Sequence, residues 1–180
     1  MEEQLCDAGG LDRIIRRLAL EVIAESGRVG PLRLVGVRSR GVPIAERLAA
    51  LIAEETKTPV PVGAIDITLY RDDLVHGQRW PVLRGTEIDF EVDGTEILLV
   101  DDVLFTGRTT RAALNVICDL GRPARVRLLV LVDRGHRELP IQADFVGLPV
   151  TTARDDRVEV RTQAIDGADA IVVVRSAGSH

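Results

Sequence analysis

The chain has 180 residues, of which 46% are hydrophobic and 28% charged, and we expect it to bury a full core and to form one domain over residues 1–180. The net charge of −5 disfavours indiscriminate binding to nucleic acid but leaves a local basic face open. Charged residues interrupt the first apolar stretch, 11–23, so we expect no signal peptide, no membrane span and a cytoplasmic location.

Apolar residues at helical spacing open the chain, and strands and helices then alternate. The first helix has its apolar stripe between Leu11 and Ile23. Later patterns predict a strand over 32–37, a helix over 42–56, a strand over 60–69, a strand from 97, a helix over 108–120 that ends at Gly121, and a strand over 126–132. This alternation predicts an α/β fold with a central, mainly parallel sheet flanked by helices.

Two regions depart from the alternation. Residues from about 70 to 92 have little continuous apolar sequence, and we interpret them as a lid hairpin, because long loops in compact domains are usually functional or disordered. From Asp133 onward the chain is rich in turns, with candidate short strands at 145–146, 157–162 and 170–174.

The cysteines and histidines do not have the spacing of a metal site. Cys6 and Cys118 are far apart, and we expect no disulfide and no protein-held metal. Because Cys118 follows Val116 and Ile117 in a predicted helix, we expect it to be a small core residue.

The residues that follow the strand from 97 combine acids with a phosphate-sized loop. Asp101 and Asp102 come directly after four apolar residues, and the loop after them contains Thr106, Gly107, Arg108, Thr109 and Thr110. Parallel strands present ligand groups at their carboxyl ends, and the start of a helix attracts an anion. A ligand that carries a diol beside a phosphate, such as a ribose 5-phosphate, satisfies both halves.

Three other interpretations of this segment explain its residues less well. A P-loop NTPase needs G-x-x-x-x-G-K-[ST], which the chain lacks, and a phosphoacceptor receiver domain relies on a site lysine, whereas Lys57 is the only lysine. A helix cap by Asp102 or Thr106 explains neither the doubled acid nor the TGRTT run.

Segment 97–109 resembles the phosphoribosyl pyrophosphate (PRPP) signature of type I phosphoribosyltransferases. Three further segments resemble the PyrR family, the pyrimidine operon regulators that are also uracil phosphoribosyltransferases: 36–41, 66–74 and 132–141. The resemblance extends from about 14 to 150. It implies the type I phosphoribosyltransferase fold, with a small hood to which the first helix and residues from about 133 to 180 could contribute.

The resemblance also implies a reaction, in which PRPP and uracil give UMP and pyrophosphate, with Mg²⁺ bound together with PRPP. Asp101 and Asp102 would clamp the ribose, and the loop 106–110 would bind its 5-phosphate. Pyrophosphate is assigned to the loop after the strand 32–37, where arginines can fork onto phosphate oxygens, although an ordinary turn stays open; its residues are Arg38, Ser39, Arg40 and Gly41.

Two further groups complete the predicted site. Arg71, at the root of the lid, could neutralise the leaving pyrophosphate, and a solvated charge cluster is the alternative. The base is assigned to the loop that contains Val132, Asp133, Arg134 and Arg137. No general base is named, and the role of His136 is left open.

The family's second activity is binding to the messenger RNA leader of pyrimidine operons, which uridine nucleotides such as UMP and UTP strengthen. A basic face for RNA would use Arg13, Arg16, Arg17 and Arg154, and a solvated helix face is the alternative. Gln142 and Leu148 stand where family members commonly carry arginine and lysine, which weakens the RNA prediction.

Two other functions stay open: a PRPP or nucleotide sensor without catalysis, and a phosphoribosyltransferase for another base. We also expect a homodimer or a higher homo-oligomer, formed through an apolar face of the helix over 110–120 or through the tail.

Overall fold

The structure is a computed structural model that describes residues 1–68 and 85–176. Within these ranges the strands are β1 (Glu2–Cys6), β2 (Leu32–Val37), β3 (Val62–Ile65), β4 (Glu96–Leu104), β5 (Arg125–Asp133), β6 (Phe145–Pro149), β7 (Arg157–Arg161) and β8 (Ala170–Val174). The helices are α1 (Ala8–Glu25), α2 (Gly41–Thr56), α3 (Arg108–Leu120) and α4 (Gln163–Asp166). In these same ranges, no helix combines the length and the apolar character that crossing a bilayer requires.

The larger sheet has the strand order β3-β2-β4-β5-β6, and every neighbouring pair is parallel. Its two central strands are continuous apolar runs, 97–100 in β4 and 128–132 in β5, and they are buried because helices cover both faces. The helices α1 and α2 pack on one face, and α3 packs on the other. The predicted α/β fold with a mainly parallel sheet is thereby confirmed.

The strands β3 and β4 end at different residues from those predicted, and both differences lie near the carboxyl edge of the sheet. The strand predicted over 60–69 is the shorter β3, because Asp66 makes a turn in which its Oδ1 accepts the Thr68 N–H at 2.9 Å. By contrast, β4 continues to Leu104, beyond the apolar run. Asp101 and Asp102 therefore lie inside a strand that extends past the end of β2, and not in a loop that follows it.

The smaller sheet is antiparallel, with the order β1-β8-β7. The N-terminal residues reach this smaller sheet through β1, and Leu11 and Ile15 of α1 are buried in a core cluster that includes residues of both sheets. Sequence analysis missed β1, since only the end of it is apolar. It forms because the buried centre of β8 needs a second neighbouring strand.

The end of α3 corrects one prediction and confirms another. Cys118 is exposed, so the prediction that it is a core residue was wrong. Val116 and Ile117 face the sheet, and the next residue turns about 100° away from it toward solvent. Gly121 ends the helix as predicted; its N–H donates to Ile117 O at 3.2 Å, and a Cβ there would lie 2.6 Å from Asp93 Oδ1.

Candidate active site

Three loops meet at the carboxyl edge of the central strands. The loop between β2 and α2 contacts β4 at Gly41, where an added Cβ would lie 2.4 Å from Val100 O and 3.5 Å from the Cα of Asp101. The loop between β4 and α3 is bonded to the loop after β5, because Glu138 N–H donates to Thr106 O at 2.9 Å. The predicted pyrophosphate, phosphate and base loops thus surround one acid pair.

The structure distinguishes the two acids, which the sequence does not. Asp101 is only 6% exposed, whereas Asp102 is half-buried. Val100 packs on the face covered by α1 and α2, whereas Leu104, four residues later, packs on the α3 face, so the alternation of the strand shifts at the acids. Each carboxylate accepts the N–H of the following residue at 2.9 Å, Asp101 from Asp102 and Asp102 from Val103.

The buried acid resists ionisation. Burial raises the pKa of Asp101 well above its ordinary value, and the charge of Asp102 and a hydrogen bond to its carboxylate raise it further. Asp101 therefore tends to keep its proton, and Asp102 is the acid that lies nearer to solvent.

We expect Asp101→Asn to stabilise the protein at neutral pH. The folded protein keeps a proton on Asp101 that the unfolded chain releases above about pH 4, so wild-type stability falls as the pH rises between these two pKa values. Asparagine is neutral throughout and keeps the oxygen that accepts the Asp102 N–H. Urea unfolding at pH 7 should show a gain of about 1 kcal/mol, which shrinks toward zero near pH 3.5. A gain that stays constant with pH contradicts this explanation.

The phosphate loop begins α3 with a left-handed glycine. Gly107 is the N-cap at φ 91°, and a glycine has no side chain with which to cap the helix. The first turn of this 13-residue helix therefore directs N–H groups and the positive end of its dipole into the crevice. Thr106 Oγ1 accepts the Arg108 N–H at 3.3 Å. Thr109 is half-buried, and Thr110 is only 3% exposed, in the interface between α3 and the sheet.

Arg134, predicted to bind the base, is buried and fully engaged. Its guanidinium donates to Asp156 O at 2.7 Å and to Ala153 O at 2.8 Å, and Nε donates to Thr152 Oγ1 at 3.2 Å. It also lies 4.0 Å from the centre of the Phe105 ring. Burial lowers the pKa of Arg134, and the charge of Asp156 opposes that shift. Arg134 therefore joins the tail to the phosphate loop.

Asp133 and Arg137 bind each other. Arg137 Nη2 lies 2.5 Å from Asp133 Oδ2, Nη1 donates to Phe105 O at 2.8 Å, and Nε donates to Ile141 O at 2.9 Å. His136, at φ 62°, places Nε2 2.7 Å from Thr152 O. The side chains predicted to bind the base thus fasten the base loop to the phosphate loop.

The arginines of the pyrophosphate loop have partners in other elements. Arg38 Nε donates to Gly85 O at 2.7 Å, and Arg38 Nη2 lies 3.0 Å from a carboxylate oxygen of Glu87. Arg40 pairs with Asp166 of α4. The peptide bond between Arg38 and Ser39 is cis. Both guanidiniums are thus held at the rim of the crevice.

Comparison with known proteins places this geometry in a family. The family model described as the phosphoribosyl transferase domain matches residues 2–162. A protein of Chloroflexus aurantiacus named bifunctional protein PyrR is 52% identical and aligns over 99% of this chain and 98% of its own length. The chain belongs to the PyrR family. A second PyrR, of Pelotomaculum thermopropionicum, is also 52% identical, over 97% of this chain and 96% of its own length.

A solved hypoxanthine phosphoribosyltransferase of Trypanosoma cruzi has the same fold. It superposes with a TM-score of 0.72, covers 96% of each chain and is 20% identical. The predicted PyrR resemblance and type I phosphoribosyltransferase fold are both confirmed. The PyrR relatives also match the tail beyond residue 150, where the motifs of the sequence alone were weak.

The arginines predicted for RNA in this PyrR-family chain form ion pairs. Arg16 pairs with Asp12 at 2.8 Å and Arg17 with Glu21 at 2.6 Å, and Arg154 pairs with Glu138. Arg13 and Arg17 line an open groove of about 620 Å³ that Leu148 also lines. Arg154 lies near the active site, so the structure separates it from the arginines of α1.

Some site positions of this PyrR-family chain lie outside the prediction or outside the described residues. Arg71 and most of the expected lid fall in 69–84, which the structure does not describe. Sequence analysis missed Phe105, Glu138 and Asp166. Phe105 was detectable as a lone aromatic in a polar loop, whereas the two acids carry no local pattern.

Proposed function

We propose that the chain is a uracil phosphoribosyltransferase that converts PRPP and uracil to UMP and pyrophosphate, and that it works as one domain. The bond from the ribose C1 to the pyrophosphate oxygen breaks, a bond from C1 to uracil N1 forms, and the N1 proton is released. Positive charge develops on the ribose as pyrophosphate leaves, so electrostatic placement governs the rate. The observation that carries the proposal is the meeting of an acid pair, the glycine-capped start of α3 and an arginine loop at one sheet edge.

The ribose 5-phosphate fits the acid pair and the phosphate loop together. The first turn of α3 offers N–H groups to the phosphate, and Thr106 and Thr109 add hydroxyls beside them. Asp102 is the acid that accepts hydrogen bonds from the ribose hydroxyls and faces the developing positive charge. Asp101 helps to fix the backbone of Asp102, since its Oδ1 accepts the Asp102 N–H at 2.9 Å.

Pyrophosphate and its metal fit the loop after β2. Arg38 and Arg40 supply guanidiniums there. Among the described residues, no three acidic, histidine or cysteine side chains cluster as a metal site. One or two carboxylates with substrate phosphates suit Mg²⁺, so Asp101 and Asp102 fit a magnesium ion that arrives with PRPP. When bound, the ion neutralises charge on the leaving pyrophosphate.

Uracil is read by backbone groups of the base loop in this proposal. Its two carbonyls and N3–H match backbone N–H and C=O groups of the loop within 132–141. Arg134 and Arg137 act as positioning residues, because their donors are committed to Asp156 O and Phe105 O. Val132 is buried beside Val103 at the end of β4, which closes the base side of the crevice.

The test is a turnover assay with labelled uracil, hypoxanthine or orotate, each with PRPP and magnesium. Uracil should give labelled UMP and one equivalent of pyrophosphate, and the other two bases should give at least about a hundredfold less product, as for a pocket that hydrogen-bonds its base. Turnover of another base identifies a different specificity. PRPP binding without any pyrophosphate release identifies a sensor instead.

We also propose that the chain regulates pyrimidine operons by binding the mRNA leader through the α1 arginines, and that it forms homo-oligomers. Arg16 sits in an exposed i,i+4 pair, which costs little to break, so it remains available to phosphates, whereas Arg17 also donates to Gly147 O at 2.6 Å. Filter binding of leader RNA with and without UMP tests this role. Loss of binding in Arg13→Gln and Arg16→Gln supports it, and equal binding of an unrelated RNA argues against it.

A further inference from the structure

Two aspartates of the tail are held to α4 in the same way. Asp166 Oδ2 accepts the Thr162 N–H at 2.8 Å, and Asp169 Oδ1 accepts the Gln163 N–H at 2.7 Å. The side chains are mostly buried, with 19% of Asp166 and 15% of Asp169 exposed. Each aspartate is thus fixed at the start of α4 and directs its other oxygen toward α2.

Both aspartates pair with arginines of the α2 region. Arg40, the residue before α2, places Nη2 2.8 Å from Asp166 Oδ1 and Nε 3.3 Å from Asp166 Oδ2. Arg47, about two turns later, places Nη1 2.9 Å from Asp169 Oδ2. The aspartates of the two pairs have similar side-chain burial, and Arg47 also lies 3.7 Å from Asp12, but only Arg40 belongs to the pyrophosphate loop.

Arg40 lies within the field of several acids. The hydrogen bond to Asp166 raises the pKa of Arg40 against the opposing effect of burial, and the charges of Asp166, Asp102 and Glu159 add to that increase. Without the Asp166 carboxylate, the Arg40 guanidinium would lose the two hydrogen bonds that fix its orientation in the pyrophosphate loop.

We propose that Asp166 is a positioning residue, which fixes the guanidinium of Arg40 for the pyrophosphate group of PRPP. The inference rests on the proposed function, in which this loop binds pyrophosphate. The pair uses Nε and one side of Nη2, and the Nη1 edge of the guanidinium lies outside it and is available to phosphate oxygens. Asp166 of the tail thereby affects PRPP binding although it does not contact PRPP itself.

The experiment compares Asp166→Asn with Asp169→Asn, the matched control. Asp166→Asn should raise the KM for PRPP and the Kd for magnesium pyrophosphate about tenfold, the loss expected for one misplaced charged contact. The KM for uracil should stay within about threefold. Asp169→Asn should lower the Tm about as much as Asp166→Asn does, but it should leave the KM for PRPP and the Kd for magnesium pyrophosphate within about twofold of wild type. Asp166→Glu, which keeps the charge, should recover most of the PRPP affinity.

A double-mutant cycle separates positioning from folding. In an Arg40→Gln background, Asp166→Asn should add no further loss in PRPP affinity, because the residue it positions is gone. An unchanged KM for PRPP in Asp166→Asn, an equal increase in Asp169→Asn, or a parallel rise in the KM for uracil overturns the inference. Wild-type protein that binds neither magnesium PRPP nor magnesium pyrophosphate overturns the proposed function itself, and with it this inference.

Discussion

Replacing Asp102 by asparagine should lower kcat/KM for UMP formation at least about a hundredfold, the usual cost of removing one preorganised electrostatic group. Asp101 is buried and Asp102 is the more exposed of the two acids, so Asp102 is the carboxylate that faces the ribose in this proposal. An amide accepts fewer hydrogen bonds from the hydroxyls and does not stabilise the positive ribose. Since Asp102 is half-buried and packs little, we expect the free energy of unfolding to change by no more than about 0.5 kcal/mol.

The measurement needs a control for the change of aspartate to asparagine. Asp119 is an exposed aspartate in the last turn of α3, far from the carboxyl edge of the sheet. Asp119→Asn should keep wild-type kinetics. Asp102→Asn with turnover within about threefold of wild type would remove Asp102 from the proposed ribose clamp.

Replacing Glu96 by glutamine should destabilise the protein by about 3–5 kcal/mol, the cost of leaving a buried charge without its partner. Glu96 is fully buried at the start of β4, at the opposite end of the strand from the acid pair. One of its oxygens lies 2.6 Å from Arg127 Nη2 and 2.8 Å from Arg125 Nη2, and the other accepts the Gly27 N–H at 2.9 Å. Arg127 is 8% exposed and would lose its best acceptor.

The loss should depend on pH in a defined direction. Burial alone raises the pKa of Glu96, but hydrogen bonds from Arg125, the Gly27 N–H and Arg127 outweigh it and hold the pKa below its ordinary value of 4.5. A lowered folded pKa gives stability that is present above pH 4.5 and is lost as the pH falls through the folded value. The difference between wild type and Glu96→Gln should therefore shrink in acid.

The exposed pair between Arg17 and Glu21 is the matched control for Glu96. Its side chains are 46% and 40% exposed, so Glu21→Gln should change the free energy of unfolding by less than about 1 kcal/mol. Urea unfolding at pH 7 and at pH 4 measures both variants. Equal losses in the free energy of unfolding of Glu96→Gln and Glu21→Gln would mean that the burial of Glu96 does not increase its contribution to stability.

Local patterns predicted much of this molecule. β2 and α3 have their predicted bounds, because buried strands and amphipathic helices are written in the spacing of apolar residues. The acid pair and the glycine that starts α3 were also visible, since strand, acids and loop are consecutive in the chain. β1 was not visible, because the residues that make it a strand belong to β8.

The sequence by itself determined the order of elements from α1 to β5, the family and the chemistry at the end of β4. Only the tertiary structure decided the roles of side chains that look alike in the sequence. Asp101 is buried whereas Asp102 faces the crevice, and Arg134 donates its hydrogen bonds to the backbone of the tail. Arg40 meets Asp166 across 126 positions, which no local pattern encodes. The physical reason is that hydrophobic periodicity acts between neighbours along the chain, whereas burial and charge pairing depend on which segments the folded path brings together.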